Sequence, residues 1–225
     1  ILDPACGSGS FLIKAFDVMD EYYRKADPAY SQSMLSTETG NGRYTKKGRI
    51  LENNIYGVDL DPKAVEIARL NLLLKAADVR HKLPSLDKNI KCGNSLIDDA
   101  SVAGERAFNW EKEFSEIMKD GGFDVIIGNP PYEVLAPKER GELGNTRDEI
   151  SYYRASYLTL KGKLNLYQLM IERAYQCLKE GGIFGFIVPN TIIASQNTSE
   201  LRKFLIKNTQ DIRVLEFPER AKVFK

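Results

Sequence analysis

Several short apolar runs of this chain end in Gly, Asp, Asn or Pro and alternate with amphipathic segments of helix length. This alternation is typical of a parallel sheet wound with helices. We therefore predict an α/β fold with a doubly wound, mostly parallel sheet. The predicted strands are Ile1–Asp3, Ile55–Asp59, Asn89–Cys92, Phe123–Gly128, Ile183–Val188 and Ile212–Phe217.

Two helices are predicted from capping residues and apolar spacing. Asp61-Pro62 supplies an N-cap and a proline at the first helical position, and an apolar stripe then continues to Ala76. The second helix covers about residues 165–179, and we expect Gly181-Gly182 to end it before the next strand.

The whole chain of 225 residues is predicted to be one domain. Residues 27–49 and 133–162 are predicted to be insertions into it, because they lack a clear strand or helix pattern. The chain begins at Ile1, inside a predicted strand, so we expect it to be a fragment of a longer protein.

The charge balance gives no sign of a strongly basic surface, because 32 basic and 31 acidic residues leave a net charge of +1. Any phosphate-binding surface is therefore local or absent. The three cysteines have no metal-ligand spacing, so we predict neither a disulfide framework nor a metal site. A reducing cytoplasm fits best, and no apolar stretch approaches the roughly 20 residues of a membrane span.

A glycine-rich turn, Asp3-Pro4-Ala5-Cys6-Gly7-Ser8-Gly9-Ser10, joins the first strand to an apolar helix start. Such a turn lets the backbone approach a ligand closely. Leu12 stands where a dinucleotide motif needs its third glycine, and the Gly-Lys-Ser/Thr of a phosphate loop is missing. The carboxylate of Asp3 favours a ligand that carries an ammonium group over one that carries a pyrophosphate.

Polar residues follow the next two predicted strands. Asp59 stands where a carboxylate can receive two hydrogen bonds from a ribose diol, whereas Asp61 is assigned to the helix cap. The amide of Asn94, beside Ser95, can bond an adenine edge, although asparagine is also common in turns.

The apolar run Phe123–Gly128 leads directly into Asn129-Pro130-Pro131-Tyr132. Two prolines hold φ near about −65° and donate no hydrogen bond, so the carbonyls here are fixed. The Asn129 side-chain oxygen and the Pro130 carbonyl can accept both hydrogens of an exocyclic amine and favour a pyramidal nitrogen. Its lone pair then points at a methyl group, and the rate comes from positioning and electrostatics. Tyr132 can stack on a base.

These motifs resemble those of class I, seven-stranded amino-methyltransferases, and within them the DNA adenine-N6 enzymes of restriction-modification systems. The likeness is greatest to the methyltransferase part of type IIG enzymes. It implies S-adenosylmethionine as the cofactor and Asn129 to Tyr132 as the catalytic tetrad. The cofactor contacts that it implies are Asp3, Ala5, Gly7, Gly9, Asp59, Leu60, Asn94 and Ser95.

The downstream segments 163–167 and 186–190 also resemble family segments, and Phe217-Pro218 looks like the site of an aromatic residue that packs against a flipped base. The resemblance implies a double-stranded DNA partner whose target adenine is rotated out of the helix, flanked by Tyr132 and Phe217. Lys161 with Lys163 is a small basic cluster that can touch phosphate. A cofactor-closing segment, a recognition domain and a nuclease domain or subunit would then lie outside this chain, in a prokaryotic cytoplasmic enzyme.

Other functions fit part of the pattern. The same amine chemistry serves a glutamine side chain of a protein, a base of ribosomal RNA, or N4 of cytosine. The Asp-Pro-Ala-Cys form of the turn and residues 163–167 favour adenine in DNA. The chain has no Pro-Cys pair, which argues against cytosine-C5 methylation. A different class is a non-catalytic scaffold or DNA-binding part of a defence assembly, and the intact tetrad weighs against it.

Overall fold

The computed structural model describes residues 1–26, 46–77, 82–135, 146–160 and 164–217. Most of the predicted insertion 27–49, the central part of the insertion 133–162, both lysines of the Lys161–Lys163 cluster and Pro218 lie outside the described residues.

The helices and strands are numbered in chain order. They are β1 (Leu2–Asp3), α1 (Ser10–Ala26), α2 (Lys46–Asn54), β2 (Tyr56–Asp59), α3 (Pro62–Ala76), β3 (Ile90–Cys92), α4 (Ala100–Ala103), α5 (Trp110–Glu113), α6 (Ser115–Lys119), β4 (Phe123–Gly128), β5 (Val134–Leu135), α7 (Arg147–Ser156), β6 (Leu164–Asn165), α8 (Leu166–Cys177), β7 (Leu178–Phe186), α9 (Thr191–Ala194) and α10 (Ser199–Asn208). Short 3-10 helices cover Gly104–Arg106 and Gln196–Thr198.

The chain forms two compact units. The first contains Ile1–Pro131 and Arg173–Ile187, and the second contains Tyr132–Glu172 and Val188–Lys225. A five-stranded sheet of order β3-β2-β1-β4-β7 runs through the first unit, and every adjacent pair in it is parallel. This confirms the predicted α/β class. Of the seven strands that the resemblance implied, the described residues of this unit contribute five.

Both faces of the sheet in the first unit are covered. Ile126 belongs to an apolar cluster with Leu2 and Val58, while its neighbour Ile127 packs against a cluster that contains Ile90. Successive residues of a strand point to opposite faces, so these two clusters lie on opposite sides of the sheet. The doubly wound arrangement is therefore confirmed.

Helix α3 forms as predicted. The Asp61 carboxylate accepts a 2.9 Å hydrogen bond from the backbone N–H of Lys63 and caps the helix, and Pro62 is its first residue. The predicted apolar stripe is buried along its whole length, from Val65 to Ala76. Helix α8 likewise lies within the predicted range 165–179.

Gly181-Gly182 does not end a helix, contrary to the prediction. Helix α8 ends at Cys177 and β7 begins with the next residue. Phe123 of β4 pairs with Leu178, whereas Val125 pairs with Ile183, so both glycines lie in a bulge of β7. The positive φ of 74° at Gly181 suits that bulge. The strand also ends at Phe186, two residues before the predicted end.

The predicted strand Ile212–Phe217 is wrong, because residues 211–217 have no regular secondary structure. Val214, Leu215 and Phe217 are 62%, 83% and 58% exposed. An apolar run forms a strand only where a neighbouring strand takes up its hydrogen bonds, and the described part of the chain offers this run no such partner.

The second unit contains helix α7, which begins with a capping box. The Thr146 hydroxyl accepts from the Glu149 backbone N–H at 3.2 Å, and the Glu149 carboxylate accepts from the Thr146 N–H at 2.7 Å. Strands β5 and β6 pair antiparallel in the same unit. Among the described residues, no helix is both long and apolar enough to cross a membrane.

Candidate active site

The carboxyl ends of β1 and β4 lie side by side in the first unit, since Leu2 pairs with Ile126. Strands β2 and β3 extend the sheet on one side of β1, and β4 and β7 extend it on the other. The winding therefore reverses between β1 and β4, and such a point opens a crevice at the carboxyl edge of a parallel sheet. β1 leads into the glycine turn at this edge, and β4 leads into Asn129.

Asp3 ends β1 and is buried, with 1% of its surface exposed. One oxygen of its carboxylate accepts a 3.0 Å hydrogen bond from the Ala5 backbone N–H. Burial raises the pKa of Asp3 to about 7; the Ala5 hydrogen bond opposes this effect and the charge of Asp59 adds to it. A nearby cation would offset the cost of ionising this carboxyl group.

Gly128 ends β4 directly against the Asp3 carboxylate. A Cβ at this glycine would lie 2.7 Å from Oδ1 and 3.3 Å from Cγ of Asp3. Only glycine therefore fits without a shift of the carboxylate. The contact brings the head of the glycine turn next to the residue that precedes Asn129.

Three backbone N–H groups of the glycine turn donate hydrogen bonds within the fold. Cys6 donates to the Val58 carbonyl at 3.0 Å, Gly7 donates to Oδ2 of Asp59 at 2.7 Å, and Gly9 donates to the Cys6 carbonyl at 2.8 Å. Gly7 and Gly9 have φ values of 52° and 87°, in the region that favours glycine. A phosphate loop needs N–H groups that point at the ligand. These three N–H groups are therefore already used within the fold.

Helix α3 packs closely against the glycine turn, a support that the sequence did not reveal. A Cβ at Gly9 would lie 3.2 Å from the Cβ of Ala68. The Asn71 side chain of the same helix donates to the Ser8 carbonyl at 3.2 Å. The apolar stripe predicted the buried face of this helix but not its contact with the turn.

Asp59, the predicted ribose acid, is partly exposed at the end of β2. Besides the Gly7 hydrogen bond on Oδ2, its Oδ1 accepts from the Asp61 backbone N–H at 3.0 Å. Each carboxylate oxygen can accept more than one hydrogen bond, so both remain able to receive a ribose hydroxyl. Leu60 beside it is 46% exposed and presents an apolar surface.

Asn94 and Ser95 follow β3 and differ in exposure. Oδ1 of half-buried Asn94 accepts from the Leu96 backbone N–H at 3.1 Å, which is the turn role that asparagine often takes. Ser95 is 4% exposed, and its hydroxyl donates to the Pro4 carbonyl at 2.9 Å. The Trp110 indole N–H donates to the Ser95 carbonyl at 3.0 Å. Trp110 was not identified from the sequence.

The predicted tetrad follows β4. Asn129 is exposed, Pro130 is buried and Pro131 is half-buried. Tyr132 begins the second unit and is 43% exposed. Within that unit, Tyr132 meets buried Tyr167 edge to face, with ring centroids 6.4 Å apart and planes at 84°. Partial burial raises the pKa of the Tyr132 hydroxyl above its usual range.

The first unit thus brings most of the predicted site residues to the carboxyl edge of one sheet. They are Asp3, Ala5, Gly7, Gly9, Asp59, Leu60, Asn94, Ser95, Asn129, Pro130 and Pro131. Tyr132 and Phe217 belong to the second unit.

Two family descriptions match the sequence. The Eco57I restriction-modification methylase model matches residues 53–224, and the RMKL-like methyltransferase domain matches residues 1–92. Among curated relatives, the type II restriction enzyme and methyltransferase RM.Eco57I of Escherichia coli is 35% identical over 96% of the chain and 22% of its own length. The adenine-specific methyltransferase PglX of Streptomyces coelicolor is 26% identical over 83% of the chain and 16% of its own length.

A solved structure shares the fold. It is a nuclease-deletion mutant of the Type ISP restriction-modification enzyme LlaGI in complex with a DNA substrate mimic, with a TM-score of 0.65 and 20% identity over 92% of this chain and 17% of that one. The chain spans only about a fifth of the length of RM.Eco57I and of PglX. Because the first family model covers most of its residues, the chain belongs to the Eco57I restriction-modification methylase family.

Proposed function

We propose that this chain is the catalytic part of an enzyme that methylates N6 of adenine in DNA, with S-adenosylmethionine as the methyl donor. The observation that carries the proposal is the meeting of two motifs at one sheet edge. The glycine turn with buried Asp3 lies against Gly128, and Asn129 follows at once. A donor site and an acceptor for an amine would then be neighbours. Family membership supports the methylation chemistry.

The residues at this edge fit S-adenosylmethionine. Its methionine part is cationic at the amine and the sulfonium, and Asp3 at the head of the turn supplies a carboxylate for it. Asp59 keeps acceptor capacity for a ribose, and exposed Leu60 offers an apolar surface to an adenine ring. When bound, this cofactor supplies an electrophilic methyl group.

Asn129 and Pro130 have the main chemical role in the proposal. The Asn129 side-chain oxygen and the Pro130 carbonyl accept the two hydrogens of the target amine and hold its lone pair toward the methyl group. The amine nitrogen would gain the methyl group as its bond to the sulfonium sulfur breaks and leaves a neutral thioether, and the nitrogen would lose one proton. Asn129 is neutral and takes up no proton, so that proton leaves to water. Positioning and fixed dipoles supply the rate.

The target base must leave the DNA stack before its N6 can react. Tyr132 and Phe217 are 43% and 58% exposed, so each has aromatic surface available to a base. We propose that they flank the extruded ring. Buried Tyr167 supports the Tyr132 ring by its edge-to-face contact.

We prefer adenine in DNA over other amine substrates because of the activities that the names of two relatives state. PglX is described as an adenine-specific methyltransferase, and RM.Eco57I as a restriction enzyme and methyltransferase. Since those proteins are much longer than this chain, a recognition domain and a nuclease are proposed for the longer protein. A DNA substrate and a prokaryotic cytoplasm are consistent with this assignment.

Mass spectrometry of nucleosides tests the proposal. The protein is incubated with plasmid DNA and S-adenosylmethionine that carries a labelled methyl group, and the DNA is digested to nucleosides. We expect the label in N6-methyladenine. Label in N4-methylcytosine, or label found only in protein or RNA, would contradict the adenine assignment.

A further inference from the structure

The Pro4–Ala5 peptide group, at the head of the glycine turn, is held at both ends. Its carbonyl oxygen accepts from the Ser95 hydroxyl at 2.9 Å, and its N–H donates to the Asp3 carboxylate at 3.0 Å. Two opposed hydrogen bonds fix the plane of a peptide group. Ser95 thus sets the direction in which the turn leaves β1.

Ser95 is held in turn by the segment that leads into α5. The Trp110 indole N–H donates to the Ser95 carbonyl at 3.0 Å, and the Asn94 backbone N–H donates to the Arg106 carbonyl at 2.6 Å. Ser95 and Trp110 are each 4% exposed. A buried polar group that loses its hydrogen-bond partner costs free energy. We therefore expect the backbone to shift when one of these hydrogen bonds is removed.

Aromatic packing supports the same segment. A Cβ at Gly93 would lie 2.6 Å from a ring carbon of Phe108, so the ring sits directly on the backbone that precedes Asn94. Trp110 meets Phe108 edge to face, with centroids 4.9 Å apart. The indole therefore has two separable functions, packing by its rings and hydrogen bonding by its N–H.

We infer that Trp110 and Ser95 are positioning residues that set the cofactor turn through the Pro4–Ala5 peptide. The inference rests on the proposed cofactor site and gives Ser95 a role besides the direct contact implied by the resemblance. Both side chains are buried, and both reach the turn through hydrogen bonds with backbone groups. Their loss weakens cofactor binding and leaves the amine chemistry at Asn129 intact.

The test compares Trp110→Phe, Ser95→Ala and the double variant. Trp110→Phe keeps an aromatic ring and removes the N–H, and Ser95→Ala removes the hydroxyl and keeps the carbonyl. We expect each single variant to raise the Kd for S-adenosylhomocysteine, measured by calorimetry, about fivefold. The KM for S-adenosylmethionine should rise in step, while the kcat of Trp110→Phe changes by less than about twofold. The Kd of the double variant should be about equal to the higher Kd of the two single variants, because both substitutions act on one peptide group.

Phe114→Leu is the matched control. Phe114 packs against Trp110 in the same aromatic cluster, and its side chain can form no hydrogen bond to Ser95. We expect Phe114→Leu to lower the melting temperature of the protein. Cofactor affinity, measured well below that temperature, should not change. Weakening of affinity by Phe114→Leu equal to that of Trp110→Phe would overturn the inference, since general packing would then explain both.

Wild-type affinity in both Ser95→Ala and Trp110→Phe would also overturn it, and would leave the proposed function standing if Asp59→Ala still loses the cofactor. Failure of the unaltered protein to bind S-adenosylhomocysteine would instead remove the proposed function and this inference together. If Trp110→Phe does not fold, Trp110→Tyr, which also removes the indole N–H and keeps an aromatic ring, takes its place.

Discussion

The Asp59 carboxylate accepts a 2.7 Å hydrogen bond from the backbone N–H of Gly7, which joins the end of β2 to the cofactor turn. Gly7 has a φ of 52°, so this bond holds a backbone conformation that few other residues adopt. The carboxylate that we propose to bind a ribose therefore also shapes the turn for the methionine part. One side chain links the two halves of the proposed cofactor site.

The main expected effect of Asp59→Ala is weaker cofactor binding. A hydrogen bond to a charged group contributes about 1.5–3 kcal/mol, so the Kd should rise roughly 10- to 100-fold. Calorimetry with S-adenosylhomocysteine measures this change. Asp61→Ala, which removes a helix cap, is the control and should lower stability with little effect on Kd. Unchanged affinity in Asp59→Ala would exclude the proposed ribose role.

Gly128→Ala is expected to destabilise the protein, because its Cβ would lie 2.7 Å from the Asp3 carboxylate. Overpacking of this kind costs about 1–3 kcal/mol. Gly185→Ala in the neighbouring strand β7 is the matched control, since a Cβ there would meet no atom within 4 Å. Urea unfolding at pH 7 compares the two variants. Equal stability of both would show that the contact between Asp3 and Gly128 does not constrain the sheet edge.

The stability of the protein without cofactor should depend on pH through Asp3. Its folded pKa of about 7 lies above the ordinary value of 3.8, so the folded state binds the proton more tightly than the unfolded chain does. The resulting stabilisation is complete below about pH 4 and is lost as the pH rises through 7. Asp3→Asn has no such proton. Between pH 5 and pH 8 the free energy of unfolding of the unaltered protein should therefore fall relative to that of Asp3→Asn.

Cofactor affinity should show the opposite trend, because ionised Asp3 favours a cationic ligand. We expect the Kd for S-adenosylmethionine to fall as the pH rises from 6 to 8, by at most about tenfold per pH unit. Asp3→Asn should bind more weakly and lose this dependence. An affinity of the unaltered protein that is flat over this range would mean that Asp3 does not titrate near the ligand.

Sequence patterns predicted the elements whose information is local. Strand β4 has the predicted bounds, because a continuous apolar run is closed by Gly128 and the two prolines. Helix α3 starts at Asp61-Pro62 for the same reason. The failed strand at Ile212–Phe217 shows the limit, since an apolar run cannot specify a pairing partner. The paired glycines of β7 were misread because a bulge and a helix end both favour glycine.

The support of the candidate site could not be predicted, since its contacts join residues far apart in the chain. The hydrogen bond from Ser95 to the Pro4 carbonyl spans 91 residues, and that from Gly7 to Asp59 spans 52. Trp110 has an ordinary core signature in sequence. Only its indole N–H, directed at the Ser95 carbonyl, distinguishes it from the other aromatic residues of its cluster.

We propose that Asn129 acts on the target amine at the sheet edge that it shares with the cofactor turn. Methyl transfer to plasmid adenine and cofactor binding are measured in parallel for the unaltered protein and for Asn129→Ala. Since Asn129 is exposed, the variant should fold normally. We expect kcat to fall by about 10²- to 10³-fold while the Kd for S-adenosylhomocysteine stays unchanged. Equal loss of cofactor binding in the folded variant, or unaltered transfer, would contradict it.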